Sequence, residues 1–173
     1  PEEVAQEMLQ LCRAIPKPAS KMLKRLGAKE APRDRTVSKN GHQLCFLQHP
    51  VKSQLVREGK DPLLREDRLR QLVKMCGISF THLTLNGPNL VTAPHRDGKN
   101  AGEFSQICFL GDFSGGELIL EDGTVLADKY VWHKFDGKRL LHWNSPTKGE
   151  KWSIVAYHTK ESLLAPHAKR VPV

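Results

Sequence analysis

The sequence predicts an α+β domain: a β barrel buttressed by helices from the N-terminal part of the chain. Three observations carry that expectation. Apolar residues recur at helical spacing in two early stretches, the texture changes to short strands after Gly77, and turn residues separate those strands too closely for βαβ crossovers. Helices first and about eight strands afterwards is the α+β order.

Residues 2–14 place Val4, Met8, Leu11 and Cys12 on one helical stripe, with Glu2 and Glu3 favourably sited in the first turn. Pro16 and Pro18 end that helix, and a short basic helix is expected from Ser20 to a stop at Gly27. Residues 28–43 are polar, contain Pro32, Asn40 and Gly41, and predict a loop. A second helix is expected from Asp61 as N-cap and Pro62 at the first position, through Leu69, Leu72, Val73 and Met75, closing at Gly77. Leu72 and Met75 are expected in the core. Strands are predicted near 78–85, 89–95, 104–110, 117–120, 124–126, 130–135, 139–143 and 151–158. The organisation that follows is a helical, basic flank over 1–77, a β core over 78–160 and a tail over 161–173.

Composition narrows the function classes. At 39% hydrophobic and 27% charged residues, wholesale disorder is excluded. No apolar run approaches the roughly 20 residues of a membrane span, so no membrane partner is expected. No secretory signal pattern opens the chain, and an intracellular location is expected. The first residue is Pro1, as expected of a piece of a longer protein. Cys12, Cys45, Cys76 and Cys108 form no CxxC pair and sit beside apolar residues, which suits buried thiols in a reducing compartment. The net charge of +8 is uneven: residues 1–80 hold 16 Lys+Arg against 9 Asp+Glu, while the remainder is nearly neutral. Such a basic flank can attract phosphates, those of DNA among them, although basic surfaces also serve solubility alone.

The residues that carry chemistry lie in the neutral half. In Ala93-Pro94-His95-Arg96-Asp97-Gly98, an extended backbone points His95 and Asp97 to one side. His142, within Leu140-Leu141-His142-Trp143-Asn144, lies 45 residues beyond Asp97 and can supply a third ligand from a neighbouring strand. Two histidines and one carboxylate on one face form the non-haem Fe(II) arrangement, with positions left open for cosubstrate and O₂. Further on, alternation along Lys151-Trp152-Ser153-Ile154-Val155-Ala156-Tyr157 puts Lys151, Ser153, Val155 and Tyr157 on one face. A cation and a hydroxyl two residues apart can clamp a carboxylate there. Trp152 and Ile154 fall on the opposite, packing face.

With these elements in order, the sequence resembles the Fe(II)/2-oxoglutarate-dependent dioxygenases over about residues 78–158. The Gly111-Asp112-Phe113-Ser114-Gly115-Gly116-Glu117-Leu118 stretch is similar to the FxGGxL turn that follows the HxD strand in many members. The resemblance implies a double-stranded β-helix, or jelly roll. It also implies Fe(II) held by His95, Asp97 and His142, and 2-oxoglutarate reaching Lys151 and Ser153 with its far carboxylate. O₂ is the co-reactant, ascorbate an accessory reductant. Most members carry Arg where this chain has Lys151. Within the superfamily, Asn86-Gly87-Pro88-Asn89, His95-Arg96-Asp97-Gly98-Lys99-Asn100, Phe135-Asp136-Gly137 and Trp152-Ser153-Ile154-Val155-Ala156-Tyr157 are most similar to the TET/J-binding-protein branch, in its algal and fungal form. That branch implies oxidation of a methylated base such as 5-methylcytosine, and hence a nuclear site of action. A flipped base needs a lining, for which Trp132, Trp143, Phe104 and Arg96 are candidates, with Arg139 toward the phosphates. Prolyl-type or small-molecule hydroxylation on the same fold, and an idle binding module, are the competing expectations.

Plainer readings stand beside these. His95-x-Asp97 alone is an ordinary strand-end turn. His42, His49, His82, His133, His158 and His167 lack ligand spacing and are expected to be structural or superficial. His95-Arg96-Asp97 also matches the start of a kinase catalytic loop, but Asn100 follows Asp97 by three residues rather than five, and no Gly-rich loop with a strand lysine precedes it.

Overall fold

A computed structural model describes residues 2–14, 42–47, 63–98, 100 and 104–159. The expected basic helix at 20–26, the caps Asp61 and Pro62, and the tail at 161–173 lie outside these residues. Helix α1 spans Glu2–Ala14 and α2 Leu63–Met75; the strands are β1 (His42–Leu47), β2 (His82–Gly87), β3 (Ser105–Gly115), β4 (Leu118–Leu120), β5 (Val125–Leu126), β6 (Trp132–Phe135), β7 (His142–Asn144) and β8 (Thr147–Tyr157). They form two antiparallel sheets, one in the order β1-β2-β8-β3-β6 and one in the order β5-β4-β7. Among the described residues, no helix is long and apolar enough to cross a membrane.

The period of two along β3 and β8 divides the interior into two cores. Cys108, Leu110, Trp152, Ile154 and Ala156 join Leu83 and Leu85 of β2 in a cluster with Ala5, Met8, Leu9 and Cys12 of α1 and Leu69, Leu72 and Val73 of α2. The alternate residues Ile107, Phe109 and Phe113 face Leu118 and Leu120 of the small sheet, with Phe135 beside them and Val155 packed against them. The candidate residues of β8, Lys151 and Ser153, therefore face the second core, between the sheets. Arg68 grips Glu7 at 2.6 and 2.9 Å between the helices, and Arg13 bonds Glu150 at the head of β8.

Several expectations are corrected. Met75, the last residue of α2, is 65% exposed, whereas Leu72 one turn earlier is buried. The segment at 89–95 is not a strand: Pro88 and Pro94 have no N–H to give, and Asn89 adopts φ 56° to turn the chain. An unforeseen strand, β1, begins inside the predicted loop and pairs with β2 along its whole length, His42 opposite Gly87 and Leu47 opposite His82. Strand β3 also runs further than expected, past Gly111 to Gly115, and β8 begins earlier, at Thr147, and passes through Gly149. A Cβ at Gly111 would lie 2.1 Å from the Glu150 carbonyl oxygen, and one at Gly149 2.4 Å from that of Asp112. Here glycine permits close approach of two paired strands rather than a turn.

Candidate functional site

Two segments bring the ligand candidates together. His95 lies in the irregular stretch before β3, and it forms a single antiparallel bridge with His142 of β7, each N–H donating to the other's carbonyl at 3.1 Å. Asp97 is tied by its own N–H to the Gly137 carbonyl at 2.8 Å. The consequence is a cluster in which one donor atom from each of His95, Asp97 and His142 lies within 4.8 Å of the others. The His95 Nε2 to Asp97 Oδ1 distance is 3.6 Å, and His142 Nε2 to Asp97 Oδ2 is 3.2 Å.

The protonation pattern follows from the partners. His95 Nδ1 lies 2.8 Å from the Ala93 carbonyl, and His142 Nδ1 lies 3.0 Å from the Leu140 carbonyl. A carbonyl only accepts, so each Nδ1 carries a proton, which leaves Nε2, on the side of the carboxylate, as the ring atom that can offer a lone pair to a metal. This donor set fits a divalent transition metal, and the carbonyl partners fix ring orientation in the way metal-binding histidines require. His142 is 4% exposed, with the Phe135 ring packed edge-on at 5.4 Å.

Gly137 closes the floor. A Cβ there would stand 2.9 Å from a Phe135 ring carbon, 3.1 Å from Asp97 Oδ2 and 3.4 Å from His142 Cε1. Gly137→Ala is expected to weaken metal binding about ten-fold while costing about 1–2 kcal/mol of stability, which metal titration and thermal unfolding would measure separately.

The second half of the site is cationic. Lys151 is 3% exposed; its Nζ donates to the Gly116 carbonyl and sits 5.1 Å over the Phe109 ring. Burial pushes its pKa down to about 8, with Glu117 pulling the other way. Glu117 itself is held below the usual carboxylate range, first by the Ser145 hydroxyl. The Thr147 hydroxyl is buried with no hydrogen-bond partner, and it closes on Gly116 together with Lys151: a Cβ there would meet Thr147 Oγ1 at 2.5 Å, Lys151 Cδ at 2.8 Å and Lys151 Nζ at 3.2 Å. A buried ammonium beside an orphaned hydroxyl fits a carboxylate. Asn89 secures this end of β8, accepting from the Lys151 N–H at 2.6 Å and donating to the Gly149 carbonyl at 2.6 Å.

Ser153 lies on the same face as Lys151, and its hydroxyl accepts from the Asn86 amide at 3.3 Å. Beyond it, Tyr157 takes a hydrogen bond from Thr84 at 3.2 Å and stacks on His82. Asn144 shares a face of β7 with His142 and accepts from the Thr92 hydroxyl at 3.1 Å. Sequence reasoning missed Thr147, Gly137 and Asn144. The alternation in β7 was the one signal that could have found Asn144.

The aromatic candidates are scattered. Trp132 packs against the helix-side core, and Phe104 is 62% exposed ahead of β3. Trp143 pairs with Ile119 and lies on the face of β7 opposite His142. Arg139 is exposed and reaches Asp136 at 3.6 Å. Arg96 bonds the Arg139 carbonyl and Glu121.

No protein-family profile and no curated protein matches the chain. Solved structures do. NgTET1 in complex with 5mC DNA superposes with a TM-score of 0.52 at 14% identity, over 94% of this chain and 70% of that one. A prolyl hydroxylase from Trichoplax adhaerens, in complex with a hypoxia inducible factor oxygen degradation domain peptide fragment, gives 0.53 at 14% identity, over 95% and 82%. At these identities the likeness shows a shared fold, that of NgTET1 and of the prolyl hydroxylase.

Proposed function

We propose that the chain is an Fe(II)- and 2-oxoglutarate-dependent dioxygenase that oxidises the methyl group of a modified nucleic-acid base such as 5-methylcytosine. The observation that carries the enzymatic part is the convergence of two imidazole nitrogens and a carboxylate beside an interior that also holds a buried lysine. In this reading the two sheets are a double-stranded β-helix buttressed by the N-terminal helices, and residues 78–160 are the catalytic core. The flank over 1–77 holds the polyanion, and a nuclear location follows from a DNA substrate.

His95, Asp97 and His142 would hold the iron, and Lys151 with Thr147 would take the far carboxylate of 2-oxoglutarate, Ser153 lying two residues along. When bound, iron and 2-oxoglutarate supply the oxidising power from O₂, and ascorbate keeps the metal reduced. The chain's own part is to orient and exclude. The Ala93 and Leu140 carbonyls keep the rings turned. Phe109, Phe113 and Phe135 wall the interior from water. Asn86 and Thr84, hydrogen-bonded to Ser153 and Tyr157, give the β2–β8 surface a polar lining for a substrate edge.

DNA is supported by the basic flank and by the likeness to a DNA-bound TET protein. Protein hydroxylation is the second reading, favoured by an equal likeness to a peptide-bound prolyl hydroxylase. Nucleoside mass spectrometry after incubation with Fe(II), 2-oxoglutarate and ascorbate on methylated oligonucleotides is expected to show oxidised methylcytosine. Binding should weaken with salt and on neutralising Lys21, Lys24 and Arg25. Untouched 5-methylcytosine in several contexts, with peptide mass shifts of one oxygen, would move the assignment to the second reading. Protein that takes up no iron would be an idle module.

A further inference from the structure

We infer that Arg96 and Glu121 form a strut that fixes the two ligand-bearing segments relative to each other, making Arg96 a positioning residue for the metal centre rather than a substrate contact. The inference rests on the metal reading of His95, Asp97 and His142. Arg96 stands between two ligands, and in an extended segment its side chain leaves on the side opposite theirs. There its Nε donates to the Arg139 carbonyl at 2.9 Å, and its Nη2 lies 3.1 and 3.4 Å from the two oxygens of Glu121. Glu121 follows β4 directly, and its Oε1 also accepts the Leu141 N–H at 2.9 Å. Its own N–H donates to the Leu141 carbonyl at 2.9 Å. One carboxylate oxygen thus joins the His95–Asp97 segment to the residue immediately before His142.

The need for such a strut is visible in the backbone. His95 is held to His142 by a reciprocal pair of main-chain bonds, but Asp97 lies two residues beyond that pair, secured by its N–H to Gly137 and its carbonyl to Asn100. Arg96 braces the stretch between them from the outside. With side chains 48% and 35% exposed, the Arg96–Glu121 pair adds little to global stability. Its effect falls on ligand placement, to which metal affinity is sensitive.

Anaerobic Co(II) titration of the full chain, read by its visible absorption, tests this apart from turnover. Arg96→Ala and Glu121→Ala are each expected to bind Co(II) about ten-fold more weakly than the parent, with unfolding midpoints nearly unchanged. The double variant should be no weaker than the weaker single one, because both remove the same link. Arg96→Lys should recover part of the affinity: an ammonium can reach Glu121 but cannot also make the geometry of the Arg139 bond. Glu121→Gln, which keeps an acceptor for Leu141, should fall between parent and alanine variant. Parent-like Co(II) affinity in Arg96→Ala, with a raised KM for substrate, would overturn the strut and make Arg96 a substrate contact. A parent protein that binds no Co(II) would overturn the metal site and the strut together.

Discussion

Asp97→Ala is expected to strip the protein of iron while leaving it folded. The carboxylate is the one hard anionic donor in the cluster, and it stands 3.6 and 3.2 Å from the two Nε2 atoms. Removing it leaves two neutral imidazoles, which hold Fe(II) poorly. Loss of a ligand should exceed the ten- to hundred-fold that a supporting residue costs, so at least about a hundred-fold in metal affinity is expected. Uncoupled succinate release should fall to the metal-free background. Asp97 is part-exposed and packs little, so the thermal midpoint should move by only a few degrees. His142→Ala should lose metal equally but also leave a cavity beside Phe135, costing about 2 kcal/mol or more. Metal analysis and calorimetry on the two variants separate these effects. Stoichiometric iron in Asp97→Ala would sink the assignment.

The second large effect is expected at Lys151, and its two consequences have opposite signs. Lys151→Met should abolish 2-oxoglutarate binding, seen by calorimetric titration, while stability at neutral pH stays level or rises. Burial lowers the ammonium's pKa from 10.5 to about 8. That gap corresponds to about 3 kcal/mol by which the free protein disfavours the charge. The folded pKa lies below the unfolded one, so between about pH 8 and 10.5 the unfolded chain binds more protons. Parent stability should therefore rise with pH across that window, and the methionine variant should lose this rise. Cosubstrate affinity runs the other way, since the carboxylate needs the proton to be present. The dissociation constant for 2-oxoglutarate should climb about ten-fold between pH 7 and 9, as protonation of a group with pKa about 8 falls. A flat profile in the parent, or normal binding by the methionine variant, would remove Lys151 from the clamp.

How much of this was legible in the sequence depended on the range of the determinant. The stripe in α1 and the alternation in β8 are local periodicities, and both cores follow from them. Within HxD, a period of two sufficed to bring His95 and Asp97 together. His142 was reachable through the order of motifs, and its geometry depends on a single bridge that no local pattern encodes. Other features were hidden for definite reasons. Gly111 and Gly149 have the composition of turns, and only the paired strand explains them. Thr147 belongs with Lys151 because both converge on Gly116, a relation set by the β3–β4 connection. Arg96 looked like a pocket residue by its neighbours, whereas the partner that claims it, Glu121, lies 25 residues away.

The reciprocal bridge between His95 and His142 has an evolutionary consequence. Because main-chain groups tie His95 to His142, the spacing of these two residues does not depend on the side chains that line the mouth. The stretch from Pro88 to Pro94 meets few register constraints of its own, since it belongs to no long ladder. Substitutions there can reshape what enters the mouth without altering the distance between the histidines. The centre can stay constant while its clientele changes, which is the property a scaffold needs if one chemistry is to be redirected across unlike substrates.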